Sequence, residues 1–472
     1  MSRRLISLPA VVALALCLSV VLARADTIVL IDGTGAAPVA DAAMVVRDGR
    51  ISWVGPAAEL NAPSGAEVMS LEGKFVIPGM IDTHVHLANV RDMVQDRENF
   101  TRESLEQELG VYAAYGVTTV QSLGTDSDPI YEVRAEQRAS GRPTVSRIYT
   151  SGRGIVFAGG YGGLAGVNVP VSSVEDVNAR VDELAARGVD VVKFWLDDDL
   201  GTMPKMPPEI SQAIIDAAHR HDLRAVAHIF YLEDAQRLVD QGIDGFAHSV
   251  RDRPVDQRLI ESMRERGVWQ MAATLSREAA IFTYGADAPF LHDHFFTQSV
   301  SPRTIEVLSD PERQRGIATG PHFSDYQRFL QTAQQNLLRL RDGGVNYAYG
   351  TDAGPPGRFP GFADHGDHGQ PGVAQRVMHD HGVFGQALRP GSADVVLPQH
   401  LEHRRAHEAR VPRERIGADR DRRHGEVVER HGQVAEGGGE VALQQGQQEG
   451  HVTRDREPLE VEPEEEDHHD PL

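Results

Sequence analysis

Between residues 75 and 354 short apolar, β-branched runs alternate with longer amphipathic segments. The apolar runs fall at 76–82, 117–123, 144–149, 191–196, 225–230, 245–250, 269–274 and 345–350. Apolar side chains recur at helical spacing over 103–115, 174–187, 209–221, 232–241 and 325–342. Gly116, Gly188, Gly242, Gly267 and Gly344 each separate such a segment from a following valine or isoleucine. A glycine just past a helix, leading into a β-branched run, is what a helix-to-strand connection requires. Eight strands alternating with helices predict an α/β fold, and a (β/α)8 TIM barrel in preference to an open sheet. Residues 275–324 form a long insertion after the seventh run, either a lid over the barrel or an elaborated loop.

Upstream the rhythm differs. Runs at 28–31, 43–46, 51–54 and 68–71, with Asp32-Gly33 and Asp48-Gly49 between them, predict a small sheet over 26–74, part of a β-sandwich domain. Arg3 and Arg4, the apolar stretch 5–22 and Ala23-Arg24-Ala25 have the layout of a signal peptide over 1–25. This predicts an exported, periplasmic or secreted protein with no stable membrane anchor after cleavage. Cleavage before Asp26 would remove three arginines and move the formal charge from -22 to -25. The barrel segment 75–365 ends abruptly. Residues 366–472 carry a single aromatic, Phe384, a single isoleucine, Ile416, and 11 of the 21 histidines. No periodicity is sustained there, and such a segment cannot bury enough apolar surface to offset its ordering entropy. Two readings fit: a disordered natural tail, or a shift of reading frame near His365.

Composition narrows the function. A net charge of -22 argues against nucleic acid and against anionic membranes as partners. The only cysteine, Cys17, lies in the export segment, so the rest of the chain has neither disulfides nor cysteine ligands.

The candidate chemistry is concentrated at strand ends. In the run 75–87, Pro78-Gly79 marks a turn, and His84 and His86 follow two residues apart on an extended strand. Their imidazoles therefore project from one face, and neutral imidazole suits zinc and similar ions. Lys193 in Val191-Val-Lys193, His228 in Ala225-Val-Ala-His228, His248 in Gly245-Phe-Ala-His248 and Asp352 in Gly350-Thr-Asp352 close four further apolar runs. In a barrel such ends converge on one mouth. A polar side chain closing an apolar strand is costly without partners. Taken singly, a histidine at a strand end is more often a hydrogen-bonded structural residue, Lys193 reads as a snorkelling lysine and Asp352 as a turn residue before Gly354. Lys193 is one of only three lysines, with Lys74 and Lys205, which favours chemistry that arginine cannot do. His292-Asp-His294 and His379-Asp-His381 repeat the His-x-His spacing but follow no apolar strand, and read as solvated.

The ordered set His-x-His, Lys, His, His, Asp, with its Pro-Gly-x-Ile-Asp-x-His-x-His opening, resembles the amidohydrolase superfamily in its two-metal members. The likeness runs from Asp26 to about His365. Within it, Gly152-Arg-Gly154, Gly159-Gly-Tyr-Gly162 and Gly350-Thr-Asp-Ala-Gly-Pro-Pro356 look closest to the imidazolonepropionase-like and Xaa-Pro or Xaa-Arg dipeptidase branches. The resemblance implies two divalent metal ions, zinc foremost. His84, His86 and Asp352 would hold one, and His228 and His248 the other. Lys193, carboxylated by carbon dioxide, would bridge them together with a hydroxide. Asp352 would be the catalytic proton carrier, and Tyr231 and Tyr161 are candidate substrate contacts. The expected reaction is hydrolysis of a C–N bond in a short peptide, an amide or a cyclic amide. A phosphotriesterase or lactonase at the same site and an inactive, truncated metal-binding homologue are the alternatives. The family also supplies an eighth helix and late strands that complete the N-terminal sheet. Neither is visible here, which predicts an unclosed barrel and an incomplete sheet. A homo-oligomer is left open.

Overall fold

In the computed structural model the described residues are 20–24, 28–34, 36–71, 73–141, 143–272 and 283–365. Most of the export segment, the start of the insertion, the end of the seventh predicted strand at Thr274, the His379/His381 pair and the whole segment 366–472 lie outside them.

The N-terminal sheet has four strands in the order Arg50–Pro56, Ala42–Arg47, Val20–Arg24, Glu67–Met69. Asp48 and Gly49 turn the hairpin with φ of 52° and 73°, the doubly positive geometry that an Asp-Gly pair favours. Val20–Arg24 pairs antiparallel with Ala42–Arg47 and parallel with Glu67–Met69, so the end of the expected signal peptide stands inside this sheet. A separate parallel pair joins Val29–Leu30 to Phe75–Val76. Ile28, Ala42 and Leu71 form the small buried core beneath.

The predicted strand 76–82 is two elements. Pro78 and Gly79 break it, Phe75–Val76 stays with the N-terminal unit, and Met80–Val85 becomes the first barrel strand. Val117–Ser122 pairs with it in parallel as strand two, and Arg147–Thr150 pairs in parallel with Val117–Ser122 as strand three. Val191–Trp195, Arg224–His228, Gly245–Phe246, Trp269–Met271 and Asn346–Ala348 continue the parallel order as strands four to eight. Two short extra strands, Ile155–Phe157 and Val169–Val171, lie between the third and fourth. The amide of Asp190 donates to Thr150 O at 2.8 Å across the same junction. At the other junction Thr83 N donates to Tyr349 O (3.0 Å), Asp352 N to His84 O (2.7 Å) and His86 N to Ala353 O (2.7 Å). These bonds close the ring, against the expectation of an unclosed barrel.

All five predicted helices form, within two residues of their expected bounds: Arg102–Ala114, Val174–Ala186, Pro208–Arg220, Leu232–Gln241 and Phe323–Asp342. Pro129–Ser140 and Gln257–Arg266 add two more. Thr101, Ser173 and Asp256 cap three of them at the N-terminus. The five glycines of the helix-to-strand junctions all have positive φ. The main core lies between strands and helices and runs from Ile155 to Val345; a second, around Leu105, Leu109 and Val120, lies under the first helices.

Among the described residues no α-helix follows strand eight, only the single turn Ala363–His365. The described part of the insertion packs on the flank of helix Arg102–Ala114 that carries Val111 and Tyr115. Tyr115, Tyr284, Leu291, Phe296, Leu308, Phe359 and Phe362 form one aromatic-rich cluster there. His365 Nε2 bonds Tyr115 O at 2.7 Å. The described part of the insertion, 283–324, thus covers one side of the barrel. Phe296, fully buried, meets Phe290, Phe359 and Phe362 edge-on at 4.9–5.1 Å. Phe296→Ala is expected to cost about 3–5 kcal/mol. The loss should appear in limited proteolysis as faster cleavage within 283–322, before the barrel melts.

Candidate metal and hydrolytic site

Strand ends deliver six polar side chains to one mouth. His84 closes the first strand, Lys193 lies within the fourth, and His228 ends the fifth. His248 follows the sixth by two residues and Asp352 the eighth by four. All six are buried, Lys193 and His84 completely. His84, His86 and Asp352 offer ligand atoms that all lie within 4.8 Å of one another. Asp352 Oδ1 stands 3.0 Å from His86 Nε2 and 3.4 Å from His84 Nε2. The His84 ring is 4.9 Å from His248, and His248 is 4.4 Å from His228. The four imidazoles therefore form one continuous group.

Contacts behind the rings sort the nitrogens. His84 Nδ1 faces the Ala247 carbonyl at 3.3 Å. A carbonyl only accepts, so Nδ1 donates and Nε2 keeps its lone pair. His86 Nδ1 meets Thr125 Oγ1 at 3.0 Å, which leaves Nε2 toward Asp352. His228 Nε2 is engaged by Asp197 Oδ2 at 2.8 Å, which leaves Nδ1. His248 Nδ1 is buried with no hydrogen-bond partner among the described residues.

Burial, reinforced by the Lys193 charge, holds His84 well below the usual imidazole range. Burial also lowers His86, and it holds His248 well below that range, with the neighbouring His228 ring acting in the same direction. These rings are neutral at pH 7, the state in which imidazole binds metal. Burial opposes ionisation of Asp352, but Arg358, His84 and His86 outweigh it and keep the carboxyl well below its ordinary range. Arg358 Nη1 donates directly to Asp352 Oδ2. Asp352 adopts left-handed backbone at φ 56°, a conformation Asp tolerates better than most residues. Gly354, at φ 118°, could carry no side chain there, because a Cβ would come 1.8 Å from His86 O.

Asp82 ties the first strand to the eighth. Its Oδ1 accepts from His84 N (2.9 Å) and Thr351 N (3.1 Å), and its Oδ2 from Thr351 Oγ1 (2.5 Å). Burial raises its pKa to about 7 and, with the neighbouring Asp82, pushes Asp364 well above the carboxylate range. Burial of two neighbouring carboxyls thus favours the protonated form in this pair. Asp82, Thr125, Asp197 and Arg358 were not among the sequence candidates. Asp82 carried a usable signal, since it is an acid two residues before His84 in an apolar run; the other three carried none.

Trp195 roofs the lysine. Lys193 Nζ lies 4.8 Å from the indole centroid. Room for the indole comes from three glycines: a Cβ on Gly124, Gly154 or Gly162 would approach it to 2.3–2.5 Å. Tyr161, between Gly160 and Gly162, sits with its ring 5.3 Å from His228. Tyr231, the other candidate substrate contact, gives its hydroxyl to Asp198 Oδ1 at 2.6 Å and stacks under Lys205 Nζ at 3.9 Å. His292 and His294 are exposed, unlike the buried group. Gly162→Ala is expected to displace Trp195 and lower kcat/KM roughly ten- to a hundredfold, as sub-ångström misplacement does. Tryptophan fluorescence should shift with it.

The profile described as Amidohydrolase family matches residues 75–377. A bacterial imidazolonepropionase-like composite domain matches residues 42–62, in the N-terminal sheet. An uncharacterized protein of Mycobacterium tuberculosis is 26% identical over 206 residues, 43% of this chain and 50% of the relative. Imidazolonepropionase of Micrococcus luteus is 41% identical over 95 residues, 20% of this chain and 22% of that one. The chain thus spans half or less of the length of these relatives. Among solved structures, a Xaa-Pro dipeptidase with methionine bound in its active site superposes with a TM-score of 0.55 at 20% identity, over 75% of this chain and 86% of that one. At that identity the likeness is one of fold.

Proposed function

Because the chain belongs to the amidohydrolase family, we propose that it is a metal-dependent hydrolase of C–N bonds, acting on a short peptide, an amide or a cyclic amide. One observation carries this reading: three buried ligands, His84, His86 and Asp352, with their atoms within 4.8 Å of one another at the barrel mouth, continuous with His228 and His248. The donor set fits a pair of divalent ions. It combines neutral nitrogens with a carboxylate, which suits zinc, and the partnerless His248 Nδ1 is a buried donor position that an ion would satisfy. His84, His86 and Asp352 would hold one ion and His228 and His248 the other. Lys193, carboxylated on Nζ by carbon dioxide with loss of a proton, would link the two halves.

Bound divalent ions would supply a water whose pKa is lowered toward about 7 and would polarise the scissile carbonyl. Asp352, ionised at neutral pH, takes the proton from the attacking water and passes it to the leaving amine. Asp82 and Thr351 keep the Asp352 turn against strand one, and Trp195 shields Lys193 from solvent. Tyr161, beside His228, is placed to meet substrate. The hydroxyl of Tyr231 reaches substrate only by leaving Asp198.

Metal analysis of the purified protein, followed by a panel of dipeptides, cyclic amides, lactones and phosphotriesters, tests the reading. Two ions per chain with turnover of a C–N substrate supports it. Turnover confined to lactones or phosphotriesters would move the reaction to the alternative class, and metal without turnover would leave a binding protein. Export remains part of the proposal. Cleavage before Asp26 would remove the strand Val20–Arg24 that Ala42–Arg47 and Glu67–Met69 share, and the intact mass of the secreted form reports which of the two occurs.

A further inference from the structure

We propose that Asp197, backed by Arg251, is a positioning residue that presents Nδ1 of His228 to the site and so sets the affinity of the metal position served by His228 and His248. The inference rests on the two-ion reading above. Asp197 follows strand four by two residues and is almost fully buried, as is His228. Its two oxygens are used differently. Oδ1 accepts the backbone amides of Asp198 (2.8 Å) and Asp199 (3.1 Å), so the carboxylate is locked by its own turn. That turn is held in an unfavourable backbone: Asp199 and Leu200 have φ of 49° and 58°, and strain of this kind persists where the surroundings impose it. Oδ2 then points at His228 Nε2, 2.8 Å away.

A carboxylate only accepts, so Nε2 carries the hydrogen, and in the neutral ring the lone pair is then on Nδ1; the ring lies 4.4 Å from His248 and 5.3 Å from Tyr161. Arg251, five residues beyond the end of strand six, completes the arrangement. It is fully buried, and its Nη1 donates to the carbonyls of Ile229 (2.9 Å) and Ser249 (3.3 Å). Its Nη2 stands 4.0 Å from Asp197 Oδ2, and its guanidinium lies 4.6 Å from the Phe230 ring centroid. A buried carboxylate needs such a cation to stay ionised. One charged chain, Arg251–Asp197–His228, therefore ties the ends of strands four, five and six. A carboxylate behind a ligating histidine fixes its tautomer and raises its basicity, and losing one typically weakens metal binding ten- to a hundredfold.

The test has two parts. In the metal-free wild-type protein, long-range 15N correlation spectra of the imidazoles should show His228 as the Nε2–H tautomer; the Nδ1–H tautomer would overturn the proposal without any variant. In Asp197→Asn, which keeps shape and removes charge, chelator competition with zinc should show one of the two ions bound ten- to a hundredfold more weakly and the other unchanged. Equal weakening of both ions, or a lowered melting point of the metal-free protein with unchanged affinities, would mark Asp197 as merely structural and overturn the proposal. Wild-type protein that takes up no zinc would overturn the two-ion reading itself, a result separate from any difference between variant and wild type.

Discussion

Asp352→Asn is expected to lower kcat by roughly a thousandfold while KM for the best substrate of the panel changes little. Asparagine preserves the size of the side chain and tolerates the same left-handed backbone, φ 56°. The turn held by Asp82 and Thr351 should therefore survive. What disappears is the negative charge 3.0 Å from His86 Nε2 and against Arg358, and with it the group that accepts and returns a proton. General acid–base transfer by a placed side chain contributes about 10²–10⁴-fold, and weakened metal binding adds to the loss. A group that acts only in the transition state lowers kcat and kcat/KM together, whereas a purely binding role raises KM. Steady-state kinetics on metal-saturated variant separates the two. Activity within tenfold of wild type would remove Asp352 from the mechanism and leave it a structural partner of Arg358.

The barrel was legible because its strands are written in a local code. Each of the runs around Val120, Val192 and Phe246 is short, apolar and preceded by a glycine-terminated helix, and none needs information from elsewhere in the chain. The six polar strand ends were legible for a related reason: each interrupts an apolar run where an isolated polar group would be costly. Asp197 was hidden because it stands in the acidic stretch Asp197-Asp-Asp199, where nothing in the sequence tells the residue that turns inward from the two that do not. Thr125 and Arg358 lie in loops, and only the closed ring brings them to His86 and Asp352. The insertion was ambiguous for the same cause. Its aromatic residues carry no period, and their partners, Tyr115 and Phe362, are distant in sequence. Missing an eighth helix suggested an open ring, yet ring closure depends on backbone bonds from Thr83, His86 and Asp352, which side-chain patterns do not report.

Lys193→Ala is expected to abolish the second half of the site as well as the first. Lys193 is fully buried at the mouth, and its charge is felt by His84, His86 and His248 alike. As a bare ammonium it would repel two cations; as a carbamate it would join them. The two states predict opposite outcomes for its removal. If the amine stays protonated, alanine relieves repulsion, and metal content should rise or hold. If it is carboxylated, alanine deletes the bridging ligand. Metal content should then fall, and activity should drop on the order of a thousandfold, the equivalent of the several kcal/mol that a correctly held metal supplies. The cavity left under Trp195 is bounded by Gly124, so a small carboxylate can enter where the side chain was. Millimolar formate or acetate should restore part of the metal and part of the rate in Lys193→Ala. Lys193→Arg should not respond, because a guanidinium keeps its proton and takes no carbon dioxide. Wild-type enzyme stripped of carbon dioxide should lose activity and regain it with bicarbonate, while the acetate-rescued variant should be indifferent to both. Full metal content in Lys193→Ala without added carboxylate would show that the lysine is not a ligand, and that any second ion rests on His228 and His248 alone.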